Sequence, residues 1–353
     1  MKSNNYPYII QALFAALFFG ISAPLSKLLL GDVDPIFLAA FLYLGSGSGI
    51  ALIKFAQPSK GKEAGIRKTD IKWLAGAIIS GGIAAPIILM LSLEKTPASS
   101  ASLLLNFEGV ATTLIAMLVF REAISSRAWS AILVITLASI FISTNFESGW
   151  GLSLGALGVL LATTLWGVDN NFTRNISGKD PLSIVAWKGL VAGIFSFFLA
   201  LTLGEQIPPL VSILWTMLLG WISYGLSTFL FIRSMRGLGA GRTSALYGTS
   251  PLAGVLLSIV IFSEMPTIAF VFATLLMLGG AYLLVNEEHQ HTHIHTALLH
   301  EHGHGHDDPA HGHDLATAAH AGEHQHLAEE HEHDHMPDIH HRYEHDEKSI
   351  KQD

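Results

Sequence analysis

PASSASLLLNFEGVATTLIAMLVFRE, residues 97–122, lies over GAGRTSALYGTSPLAGVLLSIVIFSE, residues 239–264, at a shift of 142. Ala98/Ala240, Ser102/Ser244, Ala111/Ala253, Phe120/Phe262 and Glu122/Glu264 are identical pairs. A second pairing precedes it. FFGISAPLSKLLL (18–30) lies over LWGVDNNFTRNIS (165–177), matching Gly20 with Gly167 and Lys27 with Arg174, and Asp34-Pro35 and Asp180-Pro181 follow. The shared order of motifs divides the chain into two related halves.

Working outward, ten apolar runs approach the roughly 20 residues needed to cross a bilayer. They cover about 7–30, 36–56, 71–93, 97–120, 127–145, 152–173, 182–204, 209–235, 240–262 and 267–285. Helices are expected, because an open sheet cannot leave its edges in lipid. The alternating pattern of an outer-membrane barrel is absent. Five spans per half is an odd number, so the second half must sit upside down relative to the first. The expected fold is an all-α membrane protein of ten transmembrane helices. Residues 1–148 and 149–286 are two inverted five-helix repeats, and 287–353 is a tail. The N-terminus has one Lys before a long apolar run and no small-residue cleavage site, so it reads as a retained span rather than a signal peptide.

Charge sets the expected orientation. With the N-terminus inside, fourteen Lys and Arg residues fall at the cytoplasmic face, among them Lys54, Arg67, Lys72, Arg121, Arg174 and Arg242. Only Lys27 and Lys95 fall outside, and Lys188 lies within a span. That bias follows the positive-inside rule and places both termini in the cytoplasm of a bacterial inner membrane. The bases are dispersed among apolar segments, which speaks against nucleic acid as a partner. The partners expected are the lipid bilayer and a small-molecule substrate, and a homodimer is compatible with this layout.

The ten spans, the two five-span halves and the Glu residues closing spans four and nine (Glu122 and Glu264) resemble EamA-type members of the drug/metabolite transporter superfamily. The resemblance covers about residues 8–286. It implies a transporter fold and export of a small solute, since that family moves amino acids, other metabolites and drugs.

All 19 histidines lie between His289 and His345, and there is no cysteine. Ser–His and Cys–His catalytic pairs are therefore unavailable within the spans, and the chain is not expected to be an enzyme. No cofactor is required. Soft and borderline cations favour imidazole and thiolate, so a metal pathway through the spans would have to rely on oxygen or thioether ligands.

Charges inside a span are costly and mark function by default. Glu108 sits mid-span in LLLNFEGVATTL, beside Asn106, Thr112 and Thr113. The second half places Ser250-Pro251 at the matching position, next to Tyr247 and Thr249. A helix breaker at the same depth in each half points to a midplane binding site. Lys188 either snorkels to the interface or pairs with Glu108 or a substrate carboxylate. The two together would suit a zwitterion. Trp166 and Asn170 share a helix face, next to Asp169 and Asn171, and Trp221 and Tyr224 share another. The expected substrate-binding set is Glu108, Asn106, Lys188, Trp166, Asn170, Tyr224, Tyr247 and Ser250. Glu122 and Glu264 read as helix caps or loop ion pairs. Gly45-Ser46-Gly47-Ser48-Gly49 lets helices approach closely.

Residues 287–353 carry 16 acids against Arg342, Lys348 and Lys351. That acidity, with few apolar residues, predicts a disordered segment. Its His-x-His runs are His289, His291, His293 and His295; His300, His302, His304 and His306; His311 and His313; His324 and His326; and His331, His333 and His335. Alternate residues of an extended chain point the same way, so such pairs can meet one Zn²⁺, Ni²⁺, Co²⁺ or Cu²⁺ ion. The tail could instead sense pH, since free imidazole titrates near pH ~6.5. The reading that fits these features best is a secondary transporter exporting an amino acid or similar metabolite by alternating access. The alternatives are a divalent-metal exporter that collects metal on the tail, and a metal- or pH-sensing membrane protein that moves nothing.

Overall fold

The computed structural model describes residues 6–56, 64–120, 126–145, 151–263 and 267–285, with the backbone of 289–294, 298–304, 320–326 and 330–335 in the tail. Helices occupy each of the ten apolar runs. They are α1 (Tyr6–Leu29), α2 (Pro35–Ala56), α3 (Lys68–Leu93), α4 (Ala98–Val119), α5 (Ser126–Ser143), α6 (Leu154–Arg174), α7 (Pro181–Leu203), α8 (Leu210–Met235), α9 (Ser250–Phe262) and α10 (Ile268–Val285). Six of them, α1–α4, α7 and α8, are long and apolar enough to cross a membrane by length and composition. Apolar side chains such as Ile10, Leu13, Leu17, Phe195, Phe198, Leu214 and Trp215 are exposed on the outside of the bundle. An outer surface this apolar suits lipid rather than water.

The ends of the helices follow local chemistry. Asp180 caps α7, its Oδ1 accepting from Leu182 N–H at 3.1 Å, with Pro181 in the first turn. The helix stops at Gly204, whose φ of 80° is open to glycine. Lys27 closes the far end of α3 by donating to the carbonyls of Leu93 and Thr96.

The boundary between spans eight and nine differs from the sequence expectation. Helical hydrogen bonding continues over Ser227–Tyr247, where a break is expected near residue 236. Yet Ser234 Oγ lies 3.3 Å from Thr243 Oγ1, and Ser227 Oγ lies 3.3 Å from Tyr247 Oη. A straight helix would separate those pairs by about 13 and 30 Å. The chain therefore doubles back between them and brings Tyr247 to the level of Ser227.

Helix α2 is wedged between α7 and α8. A Cβ on Gly189 would overlap the backbone of Gly47, and one on Gly220 would overlap the backbone of Leu42. The glycine run of α2 thus does what small residues do in membranes, letting backbones touch. Both ends of the α2–α7 pair are fastened. At one end Lys54 meets Asp180 at 2.8 Å and Ser183. At the other, the Glu205 carboxylate accepts from the N–H groups of Ile36 (3.0 Å) and Phe37 (2.7 Å), and Asp34 accepts from Gln206 N–H at 2.9 Å.

Thr144–Asn145 pairs with Gly151–Leu152 where the chain passes between its halves. The described backbone of the tail forms two antiparallel ladders. His289–Ile294 pairs with Glu330–His335, and Leu298–His304 with His320–His326. The His-x-His alternation has the two-residue period of a strand. The tail's histidine side chains lie outside the described residues, as do Glu122 and Glu264.

Candidate functional site

Regular helix is interrupted at three places within the spans. Helix α3 is π-helical over Ile78–Ala84, and α8 over Trp221–Leu226. Helix α4 breaks at Leu105-Asn106 between Ala98–Leu104 and Phe107–Phe120. The expected breakers were Glu108-Gly109 and Ser250-Pro251. The observed breaks come slightly earlier, at 105–106 and at Gly248-Thr249. Pi-turns free backbone groups from the helical ladder and cluster at functional sites. Here the carbonyl of Gly81, inside the first π-segment, accepts from Tyr43 Oη at 2.5 Å and Trp166 Nε1 at 3.0 Å.

Glu108 opens the second part of α4. Asn170 of α6 donates to Glu108 Oε1 at 2.7 Å and to Thr112 Oγ1 at 3.2 Å. Asn171 donates to the carbonyls of Thr112 (3.0 Å) and Gly167 (2.8 Å), locking α6 to α4. Gly167 packs directly on Ala111 and Thr112, which lets the two helices come this close.

Lys188 does not pair with Glu108. It forms an ion pair with Asp169, whose Oδ1 accepts from Thr173 Oγ1 at 3.0 Å, and the side chains are 12% and 5% exposed. Asp169 also lies against Gly81 of the first π-segment, where a Cβ would collide with its carboxylate. Asp169 and Lys188 both remain within electrostatic reach of Glu108. Their pairing follows from hairpin geometry: α6 and α7 run antiparallel, and both residues lie a short way from the connecting turn.

Above these charges sits an aromatic cluster. Phe19 meets Trp166 edge-on at 5.6 Å, Tyr224 at 6.1 Å, and stacks on Tyr247 at 5.3 Å. Tyr43 lies 5.4 Å from Tyr224. Trp166 and Tyr224 are each 5% exposed, and the Tyr224 hydroxyl is buried with no hydrogen-bond partner among the described residues. The cluster therefore draws on α1, α2, α6, α8 and the turn before α9.

Of the expected residues, Glu108, Asn170, Trp166, Lys188, Tyr224 and Tyr247 converge here. Asn106 does not: it donates to the Met277 carbonyl of α10 at 3.3 Å and serves packing. Ser250 is buried at the start of α9 with its carbonyl against Gly20, also a packing position. Sequence reasoning missed Asp169 as a site residue, and also Tyr43, Phe19 and the Gly81 carbonyl. Asp169 was detectable from its position beside Asn170. The backbone carbonyl left no signal, because a π-turn is a tertiary outcome. No group of three or more metal-ligating side chains occurs among the described residues.

Comparison with known proteins bears on what this site serves. The EamA-like transporter family model matches residues 6–144 and again 153–286. An uncharacterized transporter of Methanothermobacter thermautotrophicus is 28% identical over 291 residues, covering 78% of this chain and 85% of that protein. A solved crystal structure is similar in fold at a TM-score of 0.59 and 20% identity, covering 78% of this chain and 95% of its own. With both family matches falling on the helical bundle, the chain belongs to the EamA-like transporter family and is a multi-pass membrane transporter.

Proposed function

We propose that the protein is a secondary transporter that moves a small organic metabolite across the bacterial inner membrane by alternating access. The observation that carries this reading is the Glu108–Asn170 contact beneath the Phe19–Trp166–Tyr224–Tyr247 cluster, built from both halves of the chain. A carboxylate held by one amide beside an aromatic cluster can bind solute and exchange a proton. Residues 1–148 and 149–286 act as the two inverted units. Two features support that division. The π-segments at 78–84 and 221–226 coincide at the same 142-residue shift as the repeated sequence, and the breaks at 105–106 and 248–249 nearly do. On this reading the units rock about the site, with both termini cytoplasmic.

The tail is separate from transport on this reading. Its histidines bind Zn²⁺, Ni²⁺, Co²⁺ or Cu²⁺ beside a carrier for another solute, since the site itself offers no imidazole or thiolate.

Counterflow in proteoliposomes loaded with a labelled metabolite extract tests the proposal. Uptake above empty liposomes is expected, with a loss of at least tenfold in Glu108→Gln. Absence of counterflow for every solute in the extract would overturn it.

A further inference from the structure

The substrate class can be narrowed from the charges at the site, an argument that rests on the transport reading above. Three ionisable groups of opposite sign meet at this depth: Glu108, Asp169 and Lys188. Lys188 and Asp169 neutralise each other in a buried pair. Glu108 is held only by a neutral amide, and among the described residues no base forms an ion pair with it. With its carboxylates ionised, the site carries one negative charge in excess. An uncompensated carboxylate among apolar rings is costly, and a cationic ligand offsets that cost.

The aromatic side agrees. Trp166 and Asn170 are one turn apart on α6, so the indole and the amide that holds Glu108 share a face. Tyr224 and Tyr247 lie within electrostatic reach of the same carboxylate. Aromatic faces attract cations, and tryptophan most strongly. The site has a second pole. Tyr224 Oη and Ser22 Oγ are both buried and close to each other, and neither bonds any further group among the described residues. Two buried hydroxyls that meet only each other keep bonding capacity for a ligand.

We infer that the site selects an organic monocation. Its ammonium meets Glu108, its apolar body lies on the Phe19, Trp166 and Tyr247 rings, and its far end hydrogen-bonds to Tyr224. A zwitterion fits less well, because its carboxylate would need a free base and Lys188 is committed to Asp169. This replaces the amino acid expected from pairing Glu108 with Lys188.

The test uses the full chain in lipid nanodiscs and four probes with one ring in common: phenylethylamine (cation), phenylalanine (zwitterion), phenylpropionate (anion) and phenylethanol (neutral). Binding is read by thermal stabilisation and tryptophan fluorescence. Phenylethylamine is expected to bind at least tenfold tighter than phenylalanine, and phenylpropionate not at all. Glu108→Gln should weaken phenylethylamine at least tenfold and change phenylethanol by less than twofold. Asp169→Asn frees Lys188 and should move the preference towards phenylalanine at least fivefold. If the wild-type protein binds phenylalanine as tightly as phenylethylamine, the inference is overturned while the transport reading stands. If it binds none of the four, the inference is overturned too. Failure of the transport reading shows instead as absent counterflow of the metabolite extract.

Discussion

The α2–α7 pair and the α4–α6 pair are both close helix contacts, yet they are built in opposite ways. Between α2 and α7 the contact is glycine backbone on glycine backbone, Gly47 on Gly189, with the polar contacts that fasten the two helices to each other at the two ends. Between α4 and α6 the polar groups are in the middle: Glu108, Thr112, Asn170 and Asn171. The first is a seam whose mid-span contact is backbone and does not depend on any charge. The second carries hydrogen bonds whose strength depends on the state of one carboxylate. Structural and functional roles are thus divided between two helix pairs.

The largest expected effect lies beside the polar pair. Lys188→Ala leaves Asp169 buried and uncompensated, and should destabilise the protein by about 4 kcal/mol. The double replacement Asp169→Asn with Lys188→Met should recover most of that loss in a thermal unfolding series in detergent. If Lys188→Ala alone is harmless, the ion pair is not the buried element described here.

Gly189→Leu comes next, at about 3 kcal/mol, because the side chain has nowhere to go but into the backbone of α2. The yield of monodisperse protein and its Tm measure this. A normal Tm would show that α2 and α7 separate easily, and would erase the contrast between the two pairs.

A smaller effect, about 1 kcal/mol or less once solvent screening is counted, should separate the two ends of the α2–α7 seam by pH. Burial pushes the Asp180 carboxyl up, but hydrogen bonds from Lys54 and Ser183, the Lys54 charge and the Leu182 N–H outweigh it and hold it below the usual value of 3.8. Its contribution is present above 3.8 and is lost as pH falls through the lowered folded value. Glu205 goes the other way. Burial first, then the charges of Asp34 and Glu94, raise it above 4.5 against the N–H groups of Ile36 and Phe37. Its contribution is complete below 4.5 and is lost as pH rises through the raised value. Tm against pH should therefore lose its fall below pH 3.8 in Asp180→Asn and its gain on acidification towards pH 4.5 in Glu205→Gln. Identical profiles for both variants would refute the assignment.

The smallest effect should come from the tail. A chain ending at residue 288 is expected to keep solute transport within about twofold while losing Zn²⁺ or Ni²⁺ binding measured by calorimetry. Loss of transport together with the tail would favour a metal substrate.

Much of this molecule was legible in one dimension. Apolar run lengths located the six helices long enough to cross a membrane, and the glycine run of α2 foretold close packing. Glu108 stood out because a charge within an apolar run needs a reason. Asn106 and Ser250 lie apart from the other expected site residues; a polar side chain in a span can satisfy a neighbouring helix as well as a ligand, and periodicity does not tell which. The turn after α8 was placed correctly in the sequence, but its helical bonding was not foreseen.

The amino-acid order by itself determined that this chain enters a membrane as paired halves with a charged residue inside an apolar run. Hydrophobic length and side-chain polarity are local properties, readable residue by residue. Which acid Lys188 would join, that Gly81 would offer its carbonyl through a π-turn, and that the Tyr224 hydroxyl would be buried beside Ser22 were decided only by tertiary structure. Those outcomes depend on how α3, α6, α7 and α8 come together in space, and pairwise distances across a bundle are not written in any one helix.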